Sequence, residues 1–162
     1  MSEDRTTLEA FYDGWKNYMD GVRTALAPLT AEQLGLRAAP TQRTVGEMAQ
    51  HVVASRAYWL HDFMGEGGDD IASYVTWDQP DAPVLSSDEI VRGLDVTWQV
   101  LAERLSRWTP EDMRHTFPDE WEGQRYDRSR SWVVWHVLEH DLGHGGEISL
   151  TLGIHGVGAP RL

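Results

Sequence analysis

The 162-residue sequence contains no cysteine. Disulfide bonds, thiolate metal ligands and a cysteine nucleophile are therefore excluded, and the composition fits a reducing compartment. Any bound metal must be held by histidine and carboxylate side chains. The chain has seven histidines, so their spacing carries the information on a metal site.

Positive charge is also scarce, with 14 Lys and Arg against 26 Asp and Glu and a net charge of -12. Phosphate binding requires clustered Lys and Arg, which here are scattered, so nucleic acid is not expected as a partner.

The N-terminal stretch MSEDRTTLEAFYDGW lacks the basic start and apolar run of a signal peptide. No stretch approaches the roughly 20 apolar residues that span a bilayer. We expect a soluble, cytoplasmic protein without a membrane partner.

Tryptophan, by contrast, is plentiful, with eight residues in a chain that is 41% hydrophobic. This length predicts one globular domain over residues 1–162 with a single core. We expect Trp15, Trp59, Trp132 and Trp135 to pack in that core, because tryptophan buries a large apolar area. The alternative is that one or two of them line a substrate pocket or a dimer interface.

Four long segments show helical periodicity, and prolines and glycines mark the breaks between them. These segments cover residues 6–27, 44–64, 87–108 and 131–152. Little strand signal is left elsewhere in the chain. The sequence therefore predicts an all-α protein, a four-helix bundle with one or two long crossover connections.

Local signals predict how several of these elements begin and how they are joined. Thr44 and Glu47 have the spacing of a capping box at the start of the second helix, and Ser87 is the expected N-cap of the third. The stretch TAEQ predicts one short capped turn after the first helix. The acidic segment 65–85 is expected to be a long irregular loop, and a hairpin is expected around Glu122-Gly123.

The stretch HVLEHDLGHGGE places a histidine at every fourth position, at His136, His140 and His144. A four-residue step turns an α-helix by only about 40°, so the three lie along one stripe. Only adjacent members can bind the same ion, which leaves His136 with His140 or His140 with His144. His51, in the apolar part of the helix at 44–64, is the best candidate for a third ligand.

The other polar candidates have weaker positions. Three histidines fall at a helix end, in a loop or in the tail and are expected to be exposed and unbound: His61, His115 and His155. Glu139 and Asp141 point about 100° away from His140 on either side, so neither is an obvious general base. Glu47 lies one turn before His51 and could act near the metal, although its role in the capping box explains its presence equally well. Glu147 follows the histidine stripe and could reach the site.

Two stretches together resemble the DinB/YfiT-like superfamily of metal-binding four-helix bundles. They are TVGEMAQHVV and, some 90 residues later, WHVLEHDLGHGGEI, and the likeness extends over the whole chain. The superfamily carries a histidine in its second helix and an H-x-x-x-H-x-G-Q-I motif in its last long helix. Matched to these motifs, the metal ligands are His51, His140 and His144. His136 is then a neighbour that orients a ligand or contacts substrate.

Two residues depart from the pattern that this resemblance implies. Gly145 stands where a basic residue is common, and Glu147 stands where glutamine is common. One charge is thereby removed and another added close to the predicted site. We expect these two positions to influence what the metal site binds.

The resemblance also implies a function. Three imidazoles with an open position are typical of a catalytic metal site, and all-nitrogen ligation suits Zn²⁺ or Ni²⁺. Relatives include S-transferases and isomerases that use bacillithiol or mycothiol, so the resemblance implies a metal-dependent transferase that adds a low-molecular-weight thiol to a small-molecule electrophile. The alternatives are a metal-dependent hydrolase and a non-catalytic metal-binding or stress-response protein. A homodimer is expected as well, since relatives commonly pair through long helices.

Overall fold

The computed structural model of the protein describes residues 12–160. Residues 6–11 of the first predicted helix lie outside this part. The helices are α1 (Asp13–Leu26), α2 (Ala31–Leu34), α3 (Val45–Ala57), α4 (Asp69–Ala72), α5 (Ser87–Arg107) and α6 (Arg130–Ile154), and the strands are β1 (Thr116–Trp121) and β2 (Gln124–Ser129). A π turn, Tyr58–Phe63, continues α3, and 3₁₀ turns cover Ser73–Asp78 and Asp112–Arg114.

The four long helices pack as a bundle. Among the long helices, α3 packs against α5 and α6, and α1 packs against the same two helices. Their apolar faces share one core that includes Trp15 of α1, Val52 of α3, Leu101 of α5 and Ile148 of α6. Since consecutive long helices α1 and α3 share neighbours rather than pairing mainly with each other, their connection crosses the bundle. The predicted all-α bundle with crossover connections is confirmed.

Capping boxes fix where two of the long helices, α3 and α5, begin. The Thr44 hydroxyl accepts from the Glu47 backbone N–H, and the Glu47 carboxylate accepts from the Thr44 backbone N–H, as predicted. At the start of α5 the prediction is off by one residue, because Ser86 rather than Ser87 is the N-cap. The Ser86 backbone N–H donates to the carboxylate of Glu89 at 2.8 Å, which makes Ser87 the first helical residue.

The segment 65–85 is not the irregular loop that its composition predicts. It contains α4 and the 3₁₀ turn Ser73–Asp78, and that turn packs closely along α3. Ile71 is fully buried and Leu85 nearly so. These two apolar residues anchor the segment to the core, so that its polar residues are held at fixed positions beside α3.

The hairpin predicted around Glu122-Gly123 is confirmed. β1 and β2 pair antiparallel with Trp121 opposite Gln124, and Glu122 and Gly123 both have positive φ angles, 51° and 76°. Such a two-residue turn matches the right-handed twist of a hairpin. Within the part of the chain described, no helix combines the length and apolar character needed to cross a bilayer.

The tryptophans divide between the core and the surface. Trp15 is buried, and Trp59 and Trp132 are partly buried against the core. Trp135 is 58% exposed, so its predicted core position is wrong. It projects from the outer face of α6, about 100° around the helix from the buried Val134.

A buried ion pair joins α3 to α6 inside the core. The Arg56 Nη2 donates to Asp141 Oδ2 at 2.7 Å, and both side chains have at most 1% exposure. Trp15 Nε1 on α1 donates to the same oxygen at 2.7 Å, and Arg56 Nη1 donates to the Leu94 carbonyl of α5 at 3.3 Å. Burial raises the pKa of Asp141, and the adjacent guanidinium opposes that shift. One network therefore connects all four long helices.

Candidate metal centre

Three histidines from α3 and α6 meet next to this ion pair. His51 comes from α3, and His140 and His144 lie one turn apart on α6. Each offers one ring nitrogen, and these three atoms lie within 4.8 Å of one another. The ring centroids are 4.6 Å apart for His51 and His140 and 4.4 Å apart for His140 and His144. This histidine cluster could hold a metal ion.

The ring of His51 is held at both nitrogens. Its Nδ1 lies 2.6 Å from Asp78 Oδ2, and its Nε2 faces the Nε2 of His140 at 2.8 Å. Because a carboxylate only accepts, the Nδ1 of His51 carries a proton, and the neutral ring presents a lone pair at Nε2. Two imidazole nitrogens that face each other this closely hold one proton or one cation between them.

The ring of His144 is oriented in the same way. Its Nδ1 lies 2.6 Å from the Oε2 of Glu147, three residues further along α6. The Nε2 of His144 is therefore the nitrogen that could bind a metal ion. Carboxylates that accept from the second ring nitrogen are characteristic of metal-binding histidines, because they fix the tautomer and raise ligand basicity. Two of the three histidines in the cluster have such a partner.

The electrostatic surroundings keep two rings of the cluster, His51 and His140, neutral. Burial, followed by the charges of His144 and His51, lowers the pKa of His140 to about 3. Burial also lowers the pKa of His51, and the hydrogen bond that His51 donates to Asp78 opposes this shift. Both rings are thus neutral at pH 7. Neutral imidazoles keep the lone pairs that metal coordination requires.

The donor set of the cluster fits a borderline divalent cation. Nitrogen ligands at about 2.0–2.1 Å from a tetrahedral zinc ion lie about 3.3 Å from one another. The facing nitrogens of His51 and His140 are 2.8 Å apart, and all three ligand atoms fall within 4.8 Å. Small rotations of the histidine side chains would bring each nitrogen–nitrogen distance close to about 3.3 Å. Three imidazoles would leave a fourth position open.

His136 lies beside the cluster rather than within it. Its ring centroid is 6.2 Å from that of His140, and its Nδ1 is 3.7 Å from a carboxylate oxygen of Glu139. The ring stacks on Trp132 with an interplanar angle of 10°. Of the two histidine pairs that the sequence left open, the structure brings His140 and His144 to His51.

Glu47 and Glu147 have different surroundings. The carboxylate of Glu47 accepts from the Thr44 backbone N–H at 2.6 Å and lies 3.5 Å from Arg37. It is engaged at the N-terminus of α3, while Glu147 contacts the cluster directly. Asp141 is enclosed in the core, where it is paired with Arg56.

The remaining histidines lie outside the cluster. The Nδ1 of His61 lies 2.7 Å from a carboxylate oxygen of its neighbour Asp62, and His115 is exposed at the start of the hairpin. His155 is exposed, but its Nε2 donates to the Arg37 carbonyl at 2.8 Å. This hydrogen bond connects the C-terminal tail to the segment before α3.

Asp78 is the residue of this site that the sequence did not identify. It lies in the acidic segment 65–85, where Asp69, Asp70 and Asp81 are equally plausible from the sequence alone. Asp78 is 27 positions from His51 in the sequence, so the contact between them depends on how its segment packs against α3. The apolar residues just before it were the available signal, since they indicate a segment that packs against the bundle.

A close fit with α5 and a buried amide hold Asp78 in place. Trp77 packs against Gly93, where an added Cβ would lie 2.6 Å from the Trp77 ring. The buried Gln50 of α3 donates its amide to the carbonyls of Trp77 at 3.3 Å and Pro83 at 3.1 Å. The carboxylate next to Trp77 is thereby held at the ring of His51.

We expect Gly93→Ala to lower the free energy of unfolding by about 1–3 kcal/mol, because the new methyl group overlaps the Trp77 ring. Gly143→Ala, the same change in α6 with no atom within 4 Å of the added Cβ, should raise it by about 0.5–1 kcal/mol. Urea unfolding of both variants measures the difference. Equal effects would show that Trp77 does not fill the space beside Gly93.

The lowered pKa of His140 predicts a pH-dependent stability. Because the folded-state pKa of about 3 lies below the ordinary value of about 6.5, the unfolded chain binds this proton first. Stability should fall as pH drops below 6.5, by at most about 1.4 kcal/mol per pH unit from this group. Urea unfolding between pH 6.5 and 5, with a chelator present, should give a shallower slope for His140→Asn. Parallel slopes would contradict the prediction.

The fold and the cluster together define a four-helix bundle with a three-histidine group, able to hold a metal ion, between two of its helices. The family model of the DinB superfamily matches residues 19–148, and the chain belongs to this superfamily. The resemblance inferred from the two histidine motifs is thereby confirmed.

Solved structures of the same fold are known, and one of them is similar to this chain over almost its whole length. It is the crystal structure of a DinB-like protein from Bacillus cereus ATCC 10987, which superposes with a TM-score of 0.72 at 23% sequence identity. The match covers 98% of this chain and 99% of that chain. Comparison with curated proteins gives no significant match.

Proposed function

We propose that the protein is a metal-dependent S-transferase in which His51, His140 and His144 hold a Zn²⁺ or Ni²⁺ ion and a low-molecular-weight thiol is the co-substrate. The observation that carries this proposal is the convergence of three imidazoles, two of which are oriented by carboxylates at Nδ1. An ion bound by these histidines would lower the pKa of a thiol at its open position.

The residues around the cluster would supply orientation and charge. Asp78 and Glu147 fix the tautomers of His51 and His144, so that the Nε2 of each ring remains available to the metal ion. Arg43 lies 3.4 Å from the second oxygen of Asp78. Its guanidinium offsets part of the negative charge that would otherwise oppose a sulfur nucleophile.

The surroundings favour thiol transfer over hydrolysis. A hydrolase needs a general base within hydrogen-bond reach of the attacking water. Asp78 and Glu147 are the carboxylates in contact with the cluster, and each is occupied at a ring Nδ1. Asp141 is buried against Arg56. A thiol with a lowered pKa needs no such base, because it loses its proton to solvent.

Thiol consumption tests the proposed activity. The protein, loaded with zinc or nickel, is incubated with a generic electrophile and a panel of thiols that includes bacillithiol and mycothiol. Consumption above the spontaneous rate is expected for at least one thiol and should be lost in His140→Ala. Absence of any excess consumption overturns the transferase. Ester or amide cleavage instead would identify a hydrolase, and no turnover of either kind would leave a metal-binding protein.

The cell compartment is part of the same proposal. A thiol co-substrate must be kept reduced, which the cytoplasm does and oxidising compartments do not. The absence of cysteine from the sequence agrees with this location. We therefore place the activity in the cytoplasm, with a small molecule as the second substrate.

We also propose that the protein is a homodimer that pairs through the outer face of α6. Three large apolar side chains are unusually exposed there, Trp135 at 58%, Leu142 at 39% and Leu150 at 61%. A face of this kind can pack against its own copy around a two-fold axis. Light scattering after size exclusion should show a dimer, and Leu142→Glu with Leu150→Glu should give a monomer. Val84→Glu, at a loop position with 93% exposure, should leave the dimer intact; a monomeric wild type contradicts the proposal.

A further inference from the structure

A row of rings extends from the histidine cluster along α6. Four side chains at four-residue steps form it, Trp132, His136, His140 and His144. The centroids of neighbouring rings are 5.0, 6.2 and 4.4 Å apart. The histidine cluster occupies one end of this row, and the other end is aromatic and lacks a function in the proposed chemistry.

The π turn at the end of α3 supplies the opposite aromatic surface. Trp59 contacts Trp132 and His136, with centroid distances of 5.6 and 5.0 Å, and Tyr58 contacts Trp59 at 5.3 Å. π turns are rare and occur frequently at functional sites, because the extra residue widens the helix and redirects side chains. Here the widened turn carries three aromatic residues, Tyr58, Trp59 and Phe63.

Tyr58 separates two clefts. The smaller has a volume of about 220 Å³ and is lined by His51, Asp78, Tyr58 and Val75 among others. The larger has a volume of about 580 Å³ and lies between Tyr58, Phe63 and the hairpin. The Tyr58 side chain, 44% exposed, thus lies between the edge of the histidine cluster and a larger open space.

We propose that the π turn Tyr58–Phe63 forms a substrate subsite for a neutral, planar aromatic group, with Tyr58 as its stacking surface. This inference rests on the proposed function, since the bound group would be the electrophile that receives the thiol. An exposed phenol ring prefers stacked or edge-to-face contact with another π system. Continuity of the smaller cleft with His51 would place such a ligand next to the cluster.

The charges around Tyr58 argue for a neutral ligand. Asp78 lines the smaller cleft, and Asp119, Glu120 and Asp127 line the larger one. Arg125 is the cation among the lining residues of the larger cleft, and Asp119 is paired with Arg128 at 3.1 Å. The excess of carboxylates disfavours an anionic substrate, in agreement with the net charge of -12.

Binding of a matched pair of unreactive probes tests the subsite without thiol and without turnover. The probes are 2-naphthalenemethanol and its saturated counterpart decahydro-2-naphthalenemethanol, titrated into the full chain by saturation-transfer NMR. We expect the naphthyl probe to bind more tightly. Tyr58→Ala should weaken it roughly 3- to 10-fold, the fold-change that corresponds to loss of one aromatic pair. Trp121→Ala, which removes a 64% exposed ring at the hairpin turn that lines neither cleft, should leave its affinity unchanged.

The outcomes separate this inference from the proposed activity. Equal binding of the two probes, or naphthyl affinity unaffected by Tyr58→Ala, overturns the subsite even if thiol transfer is observed. Selective naphthyl binding that depends on Tyr58 supports the subsite even if no thiol is consumed. Circular dichroism of Tyr58→Ala confirms that the variant is folded, which is expected because Tyr58 lies at the surface with 44% exposure.

Discussion

Replacement of His140 by alanine is expected to abolish stoichiometric binding of a divalent metal. His140 is the central ring of the cluster, with its Nε2 2.8 Å from that of His51 and its ring next to His144. Loss of a partner that only orients a ligand weakens metal binding by roughly 10- to 100-fold. Loss of a ligand itself should exceed that range. Metal content after dialysis, followed by competition with a chromophoric chelator, measures the change.

His136→Ala is the matched control, since it removes the same side chain one turn earlier on α6. We expect this variant to keep its metal, because the His136 ring stacks on Trp132 outside the cluster. Asp78→Asn should fall between the two, because it removes the charge but not the ligand. Full metal content in His140→Ala would show that these histidines are not the ligands, and loss of metal in His136→Ala would favour the other pair.

Arg56→Met is expected to lower the free energy of unfolding by about 3–5 kcal/mol, because it breaks a buried ion pair by removing one partner. The guanidinium is 1% exposed and its Nη2 lies 2.7 Å from the Asp141 carboxylate. Its removal leaves that carboxylate in the core with the Trp15 indole as its remaining donor. An uncompensated charge in a low-dielectric interior is strongly destabilising. Urea unfolding at constant pH measures the loss.

Two further variants show whether the burial of the pair is the cause. Arg23→Met breaks the exposed ion pair with Asp95, which connects α1 and α5, and should change stability by less than about 1 kcal/mol. Arg56→Met combined with Asp141→Leu should recover most of the loss, because no unpaired charge is left. A loss of 1 kcal/mol or less for Arg56→Met alone would contradict this account of the core.

Features encoded within a few residues were predictable from the sequence. Helical periodicity identified the bundle, and the spacing of Thr44 and Glu47 predicted the start of α3. The four-residue histidine spacing predicted which rings share a face, although the choice of pair depended on the resemblance to the superfamily. Each of these signals is local, because helix geometry relates residues three and four positions apart.

Features that depend on distant contacts were not predictable. Arg56 looks in the sequence like an ordinary charged residue of a helix, and its partner lies 85 positions away. Asp78 belongs to a segment whose composition indicates an irregular loop, but buried apolar residues fix that segment to the bundle. The π turn at Tyr58–Phe63 continues the periodic pattern of α3 without a proline or glycine to mark it.

The contact between Tyr18 and Gly145 has a consequence for how this protein can change in evolution. A Cβ at position 145 would lie 2.6 Å from the Tyr18 ring, and the Tyr18 hydroxyl donates to the Leu142 carbonyl on the same helix. A basic residue at position 145 therefore requires the Tyr18 ring to move or to be replaced by a smaller side chain. Positions 18 and 145 should co-vary among related proteins, with a small residue on α1 wherever α6 carries a long side chain directly after the position of His144.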